Sequence, residues 1–534
     1  MRARAFFTRF SLSVVALAAS LASPAGAAPL RADLLAPPAG VALAGLDRRP
    51  TMEPLAVDAL SLPALEAPPL VAVTALKLRA EPAAPDELDL AWTLLPDDQR
   101  TLALALQNWT SSPDVARDAG RRALRGKIAA AYVARQFAPF WTQSDGWREN
   151  AASAISRLRA ASEDGLDLRG VTIPSTERAA TIAGELALSE AVAIYARQAR
   201  GGRLDPERLS HLIGAKTTVP DPAQAVAAVA GAGERAGETL QDFNPPHYGY
   251  QQLREKLIEL RSNHAGLPEF KDDLAAVEDG LAQTDALPPG KSRRRRMETL
   301  GGASTSHLEA EIIANMERWR WLPRDMGEER IEVNIPDFEL AVIRNGAVTH
   351  RTRVIVGKEQ TPTPIFSEKM VEIIVNPSWY VPQSIIQKEW HGGVGEGYQV
   401  SYRNGQMVVR QPPGEKNALG RIKFVFPNDF AVYMHDTPSR GLFAQSHRAF
   451  SHGCMRVDQP FALAEAVLGP GSGWSEERVR RLIGPSERYI NLARPLPVHV
   501  VYFTAYVDDM GRLVQRPDLY GYSARVRRAL GFSS

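Results

Sequence analysis

The one cysteine of this 534-residue chain, Cys454, lies in the stretch SHGCMR at positions 451–456. A lone thiol is most often an apolar core residue, but Cys454 follows a glycine and two polar residues, and an arginine stands two positions after it. A thiol with its ordinary pKa of about 8.5 is only slightly ionised at neutral pH, so a nucleophilic role requires a neighbouring base or positive charge. The surroundings of Cys454 therefore make it a candidate nucleophile.

His435 is the candidate base for this thiol. It ends the strand-like run FAVYMH at 430–435, nineteen residues before Cys454, and the intervening segment is long enough to return to the same strand edge. An imidazole beside a thiol, with its other nitrogen held by an acceptor, gives an activated nucleophile. Gly453 lets the backbone approach a ligand closely, and N–H groups of the Gly453-Cys454 turn would receive an oxyanion. Arg456 would favour the thiolate and bind a substrate carboxylate.

A zinc site is the main rival interpretation of this cluster, which also contains His447 and His452. Structural zinc ligands come in paired spacings such as C-x-x-C or H-x3-H, and neither spacing occurs here. The sequence therefore favours a metal-free thiol site, with His447 as a surface loop residue. Two alternatives stay open: His452 is a packed structural histidine or part of the oxyanion surroundings, and Trp379 is a core residue or a wall of the pocket.

The first 27 residues have the pattern of a secretory signal peptide. Arg2, Arg4 and Arg9 precede an apolar stretch at 10–21, and Ala25-Gly26-Ala27 matches a cleavage site. A transmembrane anchor is the alternative, but the apolar stretch is shorter than the span of about 20 residues that a helix needs. We expect an exported protein without a transmembrane segment in the mature chain, in which the lone cysteine has no disulfide partner.

Three further segments precede the thiol domain. Residues 28–88 are rich in Ala, Pro and Leu, and this proline density predicts a disordered tether. From 89 to 285, apolar residues recur three and four positions apart, which predicts a helical scaffold domain, and no motif there indicates chemistry. Residues 286–304 form a basic linker, in which Arg293–Arg296 is either a solvated run or a site for an anionic polymer.

Residues 305–510 are predicted to form a mainly β domain with short helices, its β core beginning at about 330. The apolar pattern there alternates with a period of two, and Asn345-Gly346 predicts a hairpin turn. Residues 511–534 are interpreted as a C-terminal extension. The predicted fold class is multidomain α+β, with a helical N-terminal scaffold and a mainly β C-terminal domain. The composition is typical of a globular protein, and the net charge of +2 gives no reason to expect a nucleic-acid partner.

The segment YMHDTPSRGLFAQSHRAFSHGCMRV at 433–457 resembles the H-x(14–17)-[ST]-H-G-C motif of L,D-transpeptidases with a YkuD-type catalytic domain. The flanking segments NMERWRWLP, VIVGK, TPTPIFS, VNPSWYVPQSI and NALGRIKFVFPN are similar to the larger, YcbB-like branch of murein L,D-transpeptidases. The resemblance is dense over about 310–520 and weaker over about 125–260. That branch often carries a peptidoglycan-binding module between scaffold and catalytic domain, and the interval around Arg293–Arg296 is too short for one.

The resemblance implies that Cys454 attacks the carbonyl between the third residue of a peptidoglycan stem and the D-Ala that follows it. D-Ala would leave, and the side-chain amine of another stem's diamino acid would resolve the thioester into a 3→3 cross-link. His435 would act as base and then as acid, oriented by the backbone carbonyl of Asp436. The resemblance also implies a set of oxyanion and substrate-binding positions: Gly453, Tyr433, His452, Ser451, Arg456 and Trp379.

The resemblance implies no cofactor, peptidoglycan stem peptides as partners and the periplasm of a Gram-negative bacterium as location. Two variants keep the thioester chemistry. Water would make the protein an L,D-carboxypeptidase or endopeptidase, and the amine of an outer-membrane protein or lipoprotein would make it a wall-anchoring enzyme. Acceptor choice would depend on the pocket around 383–397. A non-catalytic wall-binding scaffold protein is the alternative from another class, and the intact pair of His435 and Cys454 argues against it.

Overall fold

The computed structural model describes residues 96–264, 306–389 and 394–532. The predicted signal peptide, the tether and the basic run Arg293–Arg296 lie outside these residues. No helix in the described ranges is long and apolar enough to cross a membrane.

The N-terminal half of the described chain is helical. Its helices are α1 Asp97–Thr110, α2 Pro113–Ala116, α3 Ala119–Ala134, α4 Glu149–Arg159, α5 Ile182–Gly201, α6 Pro206–Leu209, α7 Pro222–Gly231, α8 Ala236–Gln241, α9 Tyr248–His264 and α10 306–319. A two-residue hairpin, β1 Thr142–Gln143 with β2 Gly146–Trp147, interrupts them. Side-chain caps fix several helix starts: Asp118 accepts from the Arg121 N–H, and Thr181 accepts from the Gly184 N–H.

The C-terminal half is built on strands. They are β3 Glu329–Asn334, β4 Glu339–Arg344, β5 Ala347–Gly357, β6 Phe366–Val375, β7 Trp379–Tyr380, β8 Gln399–Arg403, β9 Gln406–Gln411, β10 Ile422–Val425, β11 Met434–His435, β12 Ala449–Ser451, β13 Met455–Val457, β14 Arg488–Val501, β15 Ala505–Val507 and β16 Leu513–Gln515. Short helices join them: α11 Gln383–Glu389, α12 Pro460–Leu468, α13 Glu476–Arg480 and α14 Tyr522–Ala529. This arrangement confirms the predicted α+β fold class.

Nine strands form one mixed sheet that curls back on itself. Its order is β12-β5-β13-β11-β10-β6-β14-β3-β4, and an additional pairing of β4 with β5 closes the ring. The β4–β5 connection is the two-residue turn that the sequence predicts, because Asn345 and Gly346 both have positive φ, at 50° and 77°. Strands β11 and β13 are neighbours in this sheet and run parallel, so residues at their corresponding ends lie close together.

A small three-stranded sheet, β7-β9-β8, stands apart from the main sheet. Together with α11 it has its own apolar cluster around Val381, Ile386 and Val409, against which Trp379 packs. Because this unit is inserted between β6 and β10, it carries Trp379 to the β10–β11 region.

The last residues of the chain pack against the β core rather than extending from it. Strand β16 pairs with β15, and Tyr522, Val526 and Leu530 belong to the same buried cluster as the main sheet. Their spacing of four puts them on one face of α14 and the residue that follows it. The segment 511–534 is interpreted from the sequence as an extension, and its described part, residues 511–532, belongs structurally to the β core.

The helical and β halves meet through buried contacts. Ile213 and Ile365 form a parallel bridge, and the Gly214 N–H donates to the Ile365 carbonyl at 2.9 Å. Arg320 donates to the Asp164 carbonyl at 2.6 Å, with both residues buried. The helix α9 also contributes to the core of the main sheet. These contacts hold the helices against the sheet.

Candidate active site

The register of β11 and β13 gathers the thiol and the imidazole on one face of the sheet. The two strands are parallel, with Met434 opposite Met455 and His435 opposite Arg456. Because side chains alternate along a strand, Cys454 and Arg456 share the face that carries Tyr433 and His435. Met434 and Met455 point to the other side and are fully buried. The structure thus puts on one face the two residues that the sequence predicts as nucleophile and base.

The imidazole of His435 is fixed by a backbone carbonyl. Its Nδ1 lies 2.5 Å from the Asp436 carbonyl oxygen. Since a carbonyl only accepts hydrogen bonds, Nδ1 carries the proton, and Nε2 of the neutral ring keeps its lone pair. The pKa of His435 is lowered to about 3: burial is the largest cause, the Asp436 hydrogen bond opposes it, and the positive charges of Arg456 and Lys423 add to it. His435 is therefore a neutral ring whose Nε2 can take a proton.

The side chain of Asp436 holds this loop and does not face the imidazole nitrogen. One carboxylate oxygen accepts from the Arg421 N–H at 2.8 Å, and the other accepts from the Thr437 N–H at 2.7 Å and from Arg440 at 2.6 Å. Gly420 has φ +62°, and a Cβ at this position would collide with the Asp436 carboxylate. These contacts fix the carbonyl that orients His435.

Cys454 is half-buried and faces hydrogen-bond donors from Tyr433. Burial is the largest influence and raises the pKa of the Cys454 thiol, while the backbone N–H and the hydroxyl of Tyr433 and the charges of Lys423 and Arg456 oppose this rise. The resting pair is therefore a neutral thiol and a neutral imidazole. A thiol and an imidazole in these states would react by transfer of the thiol proton to Nε2 as the sulfur attacks.

Tyr433 connects the thiol to Trp379. Burial raises the pKa of Tyr433 far above its ordinary value, and its hydroxyl hydrogen-bonds both Cys454 and Trp379. The indole N–H is the one donor that tryptophan has, so Trp379 donates to this hydroxyl and the hydroxyl donates to the sulfur. Trp379 also packs against the apolar cluster of the three-stranded sheet. Both alternatives for Trp379 thus have a structural counterpart: it packs in a small core and it borders the thiol.

The turn at 451–454 leaves one of its two backbone N–H groups available to an oxyanion. Buried Ser451 donates through Oγ to the Cys454 carbonyl at 2.5 Å and accepts from the Gly453 N–H at 3.1 Å. The Gly453 amide is therefore already engaged, whereas the Cys454 N–H has no hydrogen-bond partner among the described residues. Gly453 adopts φ +113°, which suits glycine. Of the two turn amides, that of Cys454 is the one left for an oxyanion.

Two residues outside the motif support this turn, and sequence reasoning missed both. Buried Thr363 donates through Oγ1 to the Gly453 carbonyl at 2.9 Å and accepts from the Gly357 N–H at 2.8 Å. The hydroxyl of Tyr520 donates to the Gly357 carbonyl at 2.6 Å and accepts from the Thr363 N–H at 3.3 Å. No local sequence motif indicates that these two residues support the turn, because their contacts join segments far apart in the sequence.

The other histidines of the segment lie at the surface. His452 is exposed, and its Nε2 lies 3.5 Å from the Lys358 Nζ. His447 is also exposed, as expected for a loop residue, and its ring contacts Phe338 and Phe450 edge to face. Within the described ranges, no group of three His, Cys, Asp or Glu side chains is arranged to hold a metal ion.

Lys423 is a further residue of the site that the sequence analysis did not single out. It stands opposite His435 in the register of β10 and β11. Its Nζ lies 3.9 Å from the centroid of the Tyr433 ring, and its charge acts on Cys454. The period-two pattern of IKFV at 422–425 could have revealed it, because it puts a lysine on the face opposite two buried apolar residues.

Two family models match the chain, in the same order as its two halves. Residues 126–257 match the Scaffold domain, and residues 328–485 match the YkuD L,D-transpeptidase catalytic domain. The second match contains every strand from β3 to β13 and both Cys454 and His435.

Relatives were found among curated proteins and solved structures. A Haemophilus influenzae protein named "Putative L,D-transpeptidase" is 31% identical over 253 residues, which cover 42% of this chain and half of the relative. An L,D-transpeptidase from Mycobacterium smegmatis is 16% identical over 33% of this chain and 58% of its own, with a TM-score of 0.19. The catalytic domain of an E. faecium L,D-transpeptidase is 16% identical over 33% of this chain and 99% of its own, with a TM-score of 0.17.

The family matches agree with the site geometry described above. The motif residues lie on one face of the sheet, within the segment that the catalytic-domain model covers. Residues 328–485 are therefore an L,D-transpeptidase catalytic domain of the YkuD family, and residues 126–257 are a Scaffold domain.

Proposed function

We propose that this protein is an exported, cysteine-dependent L,D-transpeptidase that joins peptidoglycan stems by 3→3 cross-links. The observation that carries the proposal is the shared face of Cys454 and His435, with the imidazole proton held on Nδ1 by the Asp436 carbonyl. This tautomer leaves Nε2 free to act on the thiol. The catalytic-domain match over 328–485 supports the same reaction class.

Acylation begins when the Cys454 sulfur attacks the carbonyl between the diamino acid and D-Ala of a donor stem. His435 Nε2 takes the thiol proton as the carbon–sulfur bond forms. The carbonyl oxygen becomes an oxyanion, for which the Cys454 N–H is the available amide donor. When the carbon–nitrogen bond breaks, the imidazolium returns its proton to the departing amine of D-Ala. The product is a thioester on Cys454.

Tyr433 supports the nucleophile during this step. Its hydroxyl and backbone N–H donate to the sulfur, which favours negative charge there at the start of attack. Trp379 holds the Tyr433 hydroxyl in place by donating to it. Removing either donor weakens the stabilisation of charge on sulfur.

Deacylation completes the reaction with a second nucleophile. The side-chain amine of another stem's diamino acid attacks the thioester, His435 takes its proton, and the thiolate leaves and is reprotonated. Water would serve in the same position and give a carboxypeptidase or endopeptidase. The inserted sheet β7-β9-β8 and α11 border the site through Trp379, so we expect this unit to influence which acceptor enters.

The location follows from the first 27 residues. Their basic start, apolar stretch and A-x-A site favour export, and a Gram-negative periplasm would bring the protein to peptidoglycan. Recovery of the mature protein from a periplasmic extract, with its N-terminus at residue 28 by mass spectrometry, tests this part of the proposal. A protein retained in the cytoplasm with residues 1–27 uncleaved would contradict it.

The experiment that tests the activity uses the mature protein with a tetrapeptide stem as donor and a tripeptide stem as acceptor. We expect release of D-Ala and a cross-linked product whose mass equals that of the two stems minus D-Ala. Cys454→Ala should abolish both signals. D-Ala release without a cross-linked product would assign the hydrolytic variant. A folded parent protein that produces neither signal would contradict the proposed function.

A further inference from the structure

A row of three basic side chains crosses the active-site face of the sheet. Arg456 on β13 is opposite His435 on β11, and His435 is opposite Lys423 on β10. Directly opposed residues of neighbouring strands have their side chains on the same face, about 5 Å apart. The imidazole is therefore flanked by a positive charge on each side.

Lys423 has no ion-pair partner among the residues that the structure describes. It is half-buried, and its Nζ lies over the Tyr433 ring at 3.9 Å from the centroid. Its ammonium makes no hydrogen bond or ion pair with any residue in the described ranges. The groups that act on it through charge are first Cys454 and then Glu487 and Glu372. By contrast, Arg421, two residues earlier in the chain, has an ion-pair partner, because its guanidinium lies 3.3 Å from Glu415.

An ammonium withdrawn from water without an anion is costly, and burial lowers the pKa of Lys423 accordingly. Its nitrogen is not among the fully buried atoms of the described residues that lack a partner, so the nitrogen keeps some exposed surface. A partly buried ammonium without an ion-pair partner can bind an anion that belongs to the substrate. Arg456, at the opposite end of the row, is also half-buried and has no ion pair among the described residues.

The donor stem brings a carboxylate to this position. In a tetrapeptide donor, the terminal carboxylate belongs to the residue that leaves, three bonds from the carbonyl that Cys454 attacks. The Tyr433 ring separates the thiol from the Lys423 ammonium, because its hydroxyl meets the sulfur and its face meets Nζ. Lys423 and Cys454 thus contact the same tyrosine, and a carboxylate three bonds from the attacked carbonyl would lie beside this ring.

We propose that Lys423 binds the terminal carboxylate of the donor stem and thereby selects donors that end one residue after the scissile bond. The inference rests on the proposed function and assigns Lys423 a specificity role within it. A longer stem has an amide in place of this carboxylate and loses the charge-assisted hydrogen bond. Lys423 touches the leaving group and leaves the acceptor side to other residues.

A purely electrostatic role is the alternative, because the positive charge of Lys423 also lowers the pKa of the Cys454 thiol. Both roles predict slower acylation when the charge is removed. They differ in their dependence on the donor. A field on the sulfur acts equally on every donor, whereas carboxylate binding acts only on donors that carry the carboxylate.

The test measures binding by calorimetry, so that it does not depend on turnover. Two tetrapeptide stems, one with a free terminal carboxylate and one with a terminal amide, are titrated into full-length Cys454→Ala protein. The same titrations are made with Lys423→Met and Lys423→Arg added to it. Lys369→Met is the matched control, because it removes one exposed lysine from β6 outside the row.

We expect the carboxylate stem to bind about ten- to a hundredfold more tightly than the amide stem. Lys423→Met should reduce this ratio to about one, Lys423→Arg should restore part of it, and Lys369→Met should leave it unchanged. A ratio near one in the parent, or a ratio that Lys423→Met leaves intact, would overturn the inference. Turnover by the Cys454 protein, measured separately, decides the proposed function, so the two failures are distinguishable.

Discussion

The carbonyl oxygen of Asp436 lies 2.5 Å from Nδ1 of His435, and this contact orients the imidazole with no carboxylate from a third residue. The Asp436 carboxylate is used elsewhere, on two backbone N–H groups and on Arg440. A backbone carbonyl cannot be removed by changing a side chain. The orientation of the base is therefore built into the chain path after β11.

Asp436→Asn should weaken the fold more than the chemistry. The asparagine keeps the carbonyl but replaces one acceptor oxygen by an N–H2 group that faces a donor, which costs about 1–3 kcal/mol of unfolding free energy. We expect the acylation rate to stay within about tenfold of the parent. Urea denaturation and the rate of thioester formation measure the two effects. A loss of activity above a thousandfold with unchanged stability would mean that the carboxylate, not the carbonyl, orients His435.

Tyr433→Phe should slow acylation while leaving the fold intact. The change removes the hydroxyl that donates to the Cys454 sulfur and accepts from Trp379. We expect acylation to fall about a hundred- to a thousandfold, as for the loss of one aligned donor at a developing charge. Tyr402→Phe is the matched control, because Tyr402 is an exposed tyrosine on β8. Equal acylation rates for the two variants would show that the Tyr433 hydroxyl does not act on the nucleophile.

The acid limb of the pH profile should lie far below the usual histidine range. Burial and the nearby charges of Arg456 and Lys423 lower the pKa of His435 to about 3, so the ring stays unprotonated, and able to act as base, at every pH above that value. The stopped-flow rate of acylation should therefore show no loss centred near pH 6.5 as the pH falls from 8 to 5. An inflection at about 6.5 that His435→Gln removes would contradict the burial argument.

Thr363 and Tyr520 should behave as one unit that supports the thiol turn. Thr363→Val leaves the Gly453 carbonyl and the Gly357 N–H without their partner, and Tyr520→Phe removes the hydroxyl that bridges Gly357 and Thr363. We expect each change to cost about 1–3 kcal/mol of unfolding free energy. Because the two residues share partners, the double variant should fall short of the sum by about 0.5–3 kcal/mol. Strict additivity in urea denaturation would mean that the two supports are independent.

The sequence predicts a candidate reacting pair because both residues lie in short local patterns. His435 ends an alternating strand run, and Cys454 follows a glycine turn, so their types and positions are readable without a structure. The same alternation predicts the α+β architecture and the Asn345-Gly346 hairpin. What the sequence predicts well is therefore local geometry.

The residues that the sequence did not identify act through long-range contacts. Thr363 lies 90 residues from its partner Gly453, and Tyr520 lies 163 residues from its partner Gly357. No local sequence pattern predicts either contact. Lys423 becomes an active-site residue only through its register with His435. The terminal segment resembles an extension in the sequence because its helix is short, yet its apolar face completes the β core.

The sequence could not show, for a different reason, which backbone amide is available to an oxyanion. Glycine at 453 suggests two amides at the turn, but the Ser451 hydroxyl accepts one of them. Hydrogen-bond competition of this kind depends on side-chain rotamers, which the sequence does not specify. The amide of Cys454 is the one left unengaged within the described residues.

Intact-mass spectrometry of the mature protein with a carbapenem tests the central claim most directly. The strained lactam amide stands in for the donor carbonyl, and its opening by a thiolate leaves a covalent adduct of the full drug mass. We predict one adduct per chain on the parent, none on Cys454→Ala, and strongly slowed formation on His435→Ala. No adduct on the folded parent, or an adduct that persists in Cys454→Ala, would contradict the assignment of Cys454 as the nucleophile.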